Sequence, residues 1–153
     1  MRRRALVASC SPMKFLLLLA IVFALIGLAR TARAQSSAPA IDPTEAAARV
    51  RAGKAVLIDV REPSEWEAGV AAPAYLLPLS DLRGPRRKWQ HVLESAKAEG
   101  KEVLLYCRTG NRSGQAAAVL AQEGYPVGNV GGFRDWSAAG LPTRTPDEPA
   151  ALP

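Results

Sequence analysis

The residues whose types and spacing point to chemistry are Cys107-Arg108-Thr109-Gly110-Asn111-Arg112-Ser113. A thiol ends an apolar run, Val103 to Tyr106, and after the polar loop a helix-like run extends from Gly114 to Glu123. Open parallel α/β sheets place ligand crevices in such strand–loop–helix turns, at the carboxyl ends of strands and beside helix N-termini. The positive helix end, the loop amides and two arginines there favour thiolate over thiol, moving the pKa from about 8.5 into the range of roughly 3.5–7.5. Cys107 is thus a candidate nucleophile, and Arg108, Thr109, Gly110, Asn111, Arg112 and Ser113 form a candidate anion-binding loop around it. A cysteine used only as a small buried hydrophobe would not explain that loop.

The rest of the chain sharpens this expectation. Its 153 residues contain two cysteines, Cys10 and Cys107, and one histidine, His91. A basic opening, an apolar run from Phe15 to Ala29 broken only by Gly27, and Ala32-Arg33-Ala34 make residues 1–34 a signal peptide pattern. As a helix that run would span about 22 Å, short of the roughly 30 Å hydrocarbon core. The expectation is cleavage before Gln35 and a periplasmic or secreted protein. The alternative is an inner-membrane anchor with the domain outside, and Met13 is a second candidate start. Cleavage would remove Cys10, leaving one thiol in an oxidising compartment, a liability unless it is used. A disulfide within the exported chain and a Cys/His metal site are then both excluded.

The net charge of +6 would suit an anionic partner, but its distribution does not. Residues 1–34 hold six basic side chains and no acid, so the remainder is formally neutral and no nucleic-acid surface is expected. Arg83 to Lys88 is read as a solvated loop and helix start.

The elements that must position the loop follow from periodicity and punctuation. Residues 35–40 are expected to be a linker, 41–142 the domain and 143–153 a loose tail. Asp42-Pro43-Thr44-Glu45 opens a helix that Gly53 stops, and Ala55 to Val60 suits a strand buried on both faces. Asp59 and Arg61 close that strand with charge and are candidate supports of the crevice; Glu62 to Glu67 reads as a loop entering one helical turn, with Trp66 as packing. Ala74 to Leu79 and Pro126 to Val130 are short strand candidates. Lys88 to Ala98 carries Trp89, Val92, Leu93 and Ala96 on one face and leaves His91 off it, a surface histidine. Lys101 to Cys107 is the second buried strand; Gly124 ends the helix after the loop, and Gly131 to Trp136 begins a last helix stopped by Gly140 and Pro142. Strands alternating with helices define an α/β domain with a mainly parallel sheet. Asp59 and Arg112, at neighbouring strand ends, are expected to pair and leave Arg108 to face a ligand.

Three ordered motifs, Asp59-Val60-Arg61-Glu62, Cys107 to Ser113, and Gly131-Gly132 with Trp136, Ala139-Gly140 and Pro142, together resemble the single-domain rhodanese family over about residues 41 to 142. The resemblance implies a five-stranded, mainly parallel sheet flanked by helices. It also implies a sulfurtransferase that moves sulfane sulfur from a small anionic donor such as thiosulfate, through a Cys107 persulfide, to cyanide or a thiol. Arg108 and Arg112 would orient the donor; no metal or organic cofactor is implied, and a membrane enters only if the signal segment is uncleaved. Gly69-Val70-Ala71-Ala72-Pro73-Ala74 departs from the family, where His-Ile and then Pro-Gly-Ala usually follow the glycine, and this bears on specificity. Two other classes share the scaffold. A phosphatase or arsenate reductase would use a loop one residue longer than the four residues between Cys107 and Arg112. A non-catalytic periplasmic sulfur-binding module is represented by relatives that lack the cysteine.

Overall fold

The computed structural model describes residues 38–150. The expected signal segment, Cys10 and the expected start at Gln35 lie outside the described residues. Asp42 accepts the Thr44 N–H at 2.8 Å and so caps α1 (Pro43–Arg51), as its sequence predicts. There follow β1 (Ala55–Asp59), α2 (Pro63–Trp66), β2 (Val70–Ala71), β3 (Ala74–Leu76), α3 (Leu79–Arg83), α4 (Arg87–Ala98), β4 (Glu102–Cys107), α5 (Asn111–Gln122), β5 (Val127–Gly132), α6 (Phe133–Ala138) and β6 (Thr143–Arg144).

The main sheet is parallel, in the order β3-β1-β4-β5, with β1 and β4 in its middle. Side chains of the two central strands alternate between two cores, as the pleat requires. Ile58, Val103, Leu105 and Cys107 pack with Trp89, Leu93, Ala117 and Leu120 of α4 and α5. Leu57, Leu104 and Tyr106 pack with Val50 of α1 and Trp136 of α6. Burying apolar area on both faces contributes about 25 cal/mol per Å², so the strand ends that carry the charges rest on the most deeply buried part of the domain.

Three boundaries differ from expectation. The sheet has four strands, and the fifth position is a single bridge between Ala40 and Asn129, with Ile41 N–H on the Asn129 carbonyl at 2.9 Å and Asn129 N–H on the Pro39 carbonyl at 2.9 Å. Pro39 has no N–H and Pro43 begins a helix at once, so no longer ladder fits between them. The last linker residues therefore belong to the sheet edge. Thr143 and Arg144 are not loose either: β6 pairs antiparallel with β2, and the Arg144 guanidinium donates to the carbonyls of Ala72 at 3.0 Å and Ala74 at 2.8 Å. Strands this short carry no periodicity for a sequence to display. Finally, α5 begins at Asn111, so Asn111, Arg112 and Ser113 are its first turn rather than loop.

Candidate active site

Cys107 is the last residue of β4, and only Arg108, Thr109 and Gly110 separate it from α5. The chain reverses that quickly because Gly110 stands at φ +89°, a conformation that L side chains rarely adopt. The turn aims backbone donors at the sulfur: Gly110 N–H lies 3.1 Å from Cys107 Sγ. The Ser113 hydroxyl is 3.6 Å from Sγ, 3.1 Å from the Gly110 carbonyl and 2.7 Å from Asn129 Oδ1. It has one proton for three acceptors, whereas the amide N–H groups have no competing partner.

Cys107 is completely buried, and burial by itself pushes the thiol up. The Ser113 hydroxyl and the N–H groups of Ser113, Thr109 and Gly110 outweigh that cost and hold it below its ordinary value. The downward shift thus comes mainly from hydrogen-bond donors, with Arg112 also coupled to the sulfur. Arg108 is exposed and forms no hydrogen bond or ion pair among the described residues. Thr109 and Asn111 are also exposed, and Asn111 Oδ1 accepts from Gln115 Nε2 at 2.6 Å.

The expected Asp59–Arg112 pair does not form. Arg112 instead makes a bidentate ion pair with Glu65 of α2, Nη1–Oε2 2.5 Å and Nη2–Oε1 2.7 Å. That guanidinium lowers the Glu65 carboxyl from 4.5 to about 2, and Glu65 in turn, with a further contribution from Cys107, raises Arg112 above the ordinary arginine value. Arg112 is thus committed to tying the first turn of α5 to α2. Asp59 is engaged by its own neighbour, which takes both oxygens: Arg61 Nε donates to them at 3.0 and 2.9 Å, and Arg61 Nη2 lies 2.6 Å from Oδ2. This pair is buried, at 0% and 4% side-chain exposure. The remaining Arg61 donors reach the carbonyls of Glu65 at 3.0 Å and Gly69 at 2.7 Å, and the guanidinium carbon lies 4.4 Å from the Phe133 ring centroid. Asp59 and Arg61 accordingly pin α2, the turn into β2 and the start of α6 to the end of β1.

The atypical segment after Gly69 is gripped by its backbone. Gly69 O accepts from Arg61, Ala71 N–H donates to Tyr106 Oη at 3.0 Å, and Ala72 O accepts from Arg144. Side chains there can differ from the family pattern without loosening the frame. His91 is exposed on α4, which packs on the sheet, and joins none of these contacts.

Two supports were not singled out from the sequence. Asn129 of β5 donates from Nδ2 to the Gly110 carbonyl at 3.0 Å and accepts from Gly131 N–H at 3.1 Å, so one amide side chain holds the loop against β5. Its signal was a lone amide inside the run Val127 to Val130. Glu65 had no such signal, because 47 residues separate it from Arg112. Behind the loop the backbones of Gly132 and Arg108 nearly touch: a Cβ on Gly132 would lie 2.6 Å from the Arg108 carbonyl. Trp136 secures this wall by donating from Nε1 to Pro142 O at 3.0 Å.

A cysteine lined by backbone donors, where a parallel strand runs into a helix, is the centre of this α/β domain. The chain belongs to the rhodanese-like domain family, whose model matches residues 42–139. A protein named sulfurtransferase from Allochromatium vinosum is 35% identical over 97 residues, 60% of this chain and 80% of that one. An uncharacterized Synechocystis protein is 38% identical over 100 residues, 63% of this chain and 51% of that protein, so this chain spans about half of its length. A solved structure from Rhodopseudomonas palustris, of unknown function and described as a possible tyrosine phosphatase, superposes with a TM-score of 0.60 at 28% identity, covering 72% of this chain and 88% of that one.

Proposed function

We propose that the domain is a sulfurtransferase that carries sulfane sulfur on Cys107. The observation that carries this reading is the donor-lined, buried Sγ, with Gly110 N–H at 3.1 Å and the thiol held below its ordinary value. In the loading step the Cys107 thiolate attacks the outer sulfur of thiosulfate. The bond between the two donor sulfurs breaks, its electron pair leaves with sulfite, and Cys107 retains an anionic persulfide. Charge is conserved, and backbone N–H groups that stabilise the thiolate are suited to the persulfide as well. An acceptor nucleophile then takes the outer sulfur and restores the thiolate.

A phosphatase reading would need a guanidinium facing a tetrahedral oxyanion bound in the loop. Both Nη atoms of Arg112 are held by Glu65, and the loop has four residues between Cys107 and Arg112. These two features favour sulfur. The test is intact mass after incubation with thiosulfate: a gain of one sulfur atom, released by cyanide and absent in Cys107→Ala, is expected. Unchanged mass together with turnover of a phosphate ester would overturn the proposal, and unchanged mass alone would favour a binding module.

We also propose that the protein is exported and works in the periplasm or outside the cell, on the strength of the segment at residues 1–34. An acceptor from outside the chain must then take the sulfur, since Cys107 would have no resolving cysteine of its own. N-terminal sequencing of fractionated protein should give Gln35; a membrane-bound species retaining Phe15 to Ala29 would mean an anchored enzyme.

A further inference from the structure

Beside the cysteine loop lies an open cleft of about 980 Å³, whose lining includes Arg108 and Thr109 of the loop and Phe133 and Arg134 of α6. Thiosulfate, a sulfate with one oxygen exchanged for sulfur, would leave most of it empty; a volume of that size suits an organic molecule. The charges in the cleft sort into used and unused. Arg61 is held by Asp59 and Glu65 by Arg112, while Asp135 accepts Gly132 N–H at 3.0 Å and remains a carboxylate, one negative charge against two unpaired positive ones. Arg108 and Arg134 are exposed and have no hydrogen-bond or ion-pair partner among the described residues. The cleft thus offers two uncommitted guanidinium groups and an aromatic ring, and it starts at the two residues that follow Cys107.

Resting on the sulfurtransferase reading, we propose that this cleft is the acceptor site and that it selects an anionic organic thiol, its carboxylates held by Arg108 and Arg134 and its carbon skeleton resting on Phe133. Guanidinium groups recognise carboxylates through paired N–H donors, and two unpaired ones lining a single cleft fit a thiol with more than one carboxylate better than one with a single negative group. Transfer follows when the acceptor thiolate attacks the outer sulfur of the Cys107 persulfide. The sulfur–sulfur bond of the persulfide breaks with its electron pair on Cys107 Sγ, and the acceptor leaves as a persulfide. Arg134 is the specificity-determining residue, because it lies on α6, outside the loop that holds the sulfur.

The test separates the two half-reactions. Protein is first loaded with thiosulfate and its mass checked; sulfur transfer is then timed with mercaptosuccinate, mercaptoethanol and cysteamine. For each protein the ratio of kcat/KM for mercaptosuccinate to that for mercaptoethanol is compared, so that intrinsic thiol reactivity cancels between wild type and variant. Arg134→Gln should lower this ratio about threefold to tenfold, the range open to a partly solvated charge contact. Arg134→Glu should lower it further and raise the relative rate with cysteamine, and added salt should compress the wild-type preference. A ratio unchanged in both variants, with normal sulfur loading, would overturn the acceptor site while leaving the sulfurtransferase reading intact. Absence of loading in the wild type would overturn that reading instead.

Discussion

Glu65→Gln is the substitution that most directly tests how the loop is held. It keeps the shape of the side chain and one acceptor but removes the charge from the bidentate pair with Arg112. The fall of the Glu65 carboxyl from 4.5 to about 2 corresponds to at most about 3.4 kcal/mol. Each side chain of the pair keeps 27% of its exposure, so water screens part of that attraction. Between a surface pair, worth up to about 1 kcal/mol, and removal of one partner from a buried pair, about 3–5 kcal/mol, the variant should lose about 1.5–2 kcal/mol in urea unfolding at pH 7. The pH dependence has a definite sign. A carboxyl whose folded-state pKa is depressed stabilises the fold fully above its unfolded value and ceases to do so as pH falls through the folded value. The gap between wild type and variant should stay constant from pH 7 to about 5, then narrow between pH 4.5 and about 2. Sulfur loading should also slow, because the first turn of α5 loses its tie to α2. A gap that is absent at pH 7, or that does not narrow on acidification, would falsify the assignment of this ion pair as the loop's anchor.

Ser113→Ala should raise the pH midpoint of alkylation of Cys107 by iodoacetamide toward that of an ordinary thiol; an unmoved midpoint would leave the whole effect to the amides. Asp59→Asn should cost about 3–5 kcal/mol in thermal or urea denaturation, because Arg61 would be left buried without its counter-charge. Its sulfur loading below the melting transition should persist, since Asp59 makes no contact with the loop, and a wild-type stability would rule out the pair as a strut. Gly132→Ala should cost about 1–3 kcal/mol and slow loading, because the new methyl must displace the Arg108 carbonyl; wild-type values of both would mean that the loop yields freely.

What the sequence made legible was local. Alternating apolar runs and helix punctuation place β1, β4 and α5, and the thiol's position at the end of β4 follows from its neighbours alone. The frame of the site depends on pairs that spacing does not encode. Glu65 of α2 reaches Arg112 of α5 across 47 residues, and nothing near either residue marks the other. Arg112 was expected both to orient an anion and to pair with Asp59; the carboxylate that holds it is Glu65 of α2, which spacing does not mark. Asp59 and Arg61 were recognised as supports, but the partner was misassigned: adjacency along one strand end, Asp59 Oδ1 to Arg61 N–H at 2.9 Å, won over reach to a neighbouring strand. The edge bridge at Ala40 and the two-residue β6 fell below the length at which a two-residue period can be seen.

Asn129 gives the chain a vulnerable moment. The side chain that closes the cysteine loop belongs to β5, which follows β4 and α5 in the order of synthesis. Until residue 129 has been made and β5 has settled beside β4, a nascent domain can already possess its nucleophile at the head of α5 while Gly110 lacks the amide that ties it down. Long-range parallel pairing of this kind is slow to form compared with a helix. During that interval the loop lacks the β5 side chain that fixes Gly110, so the cradle of the sulfur is complete only once the last parallel strand is in place.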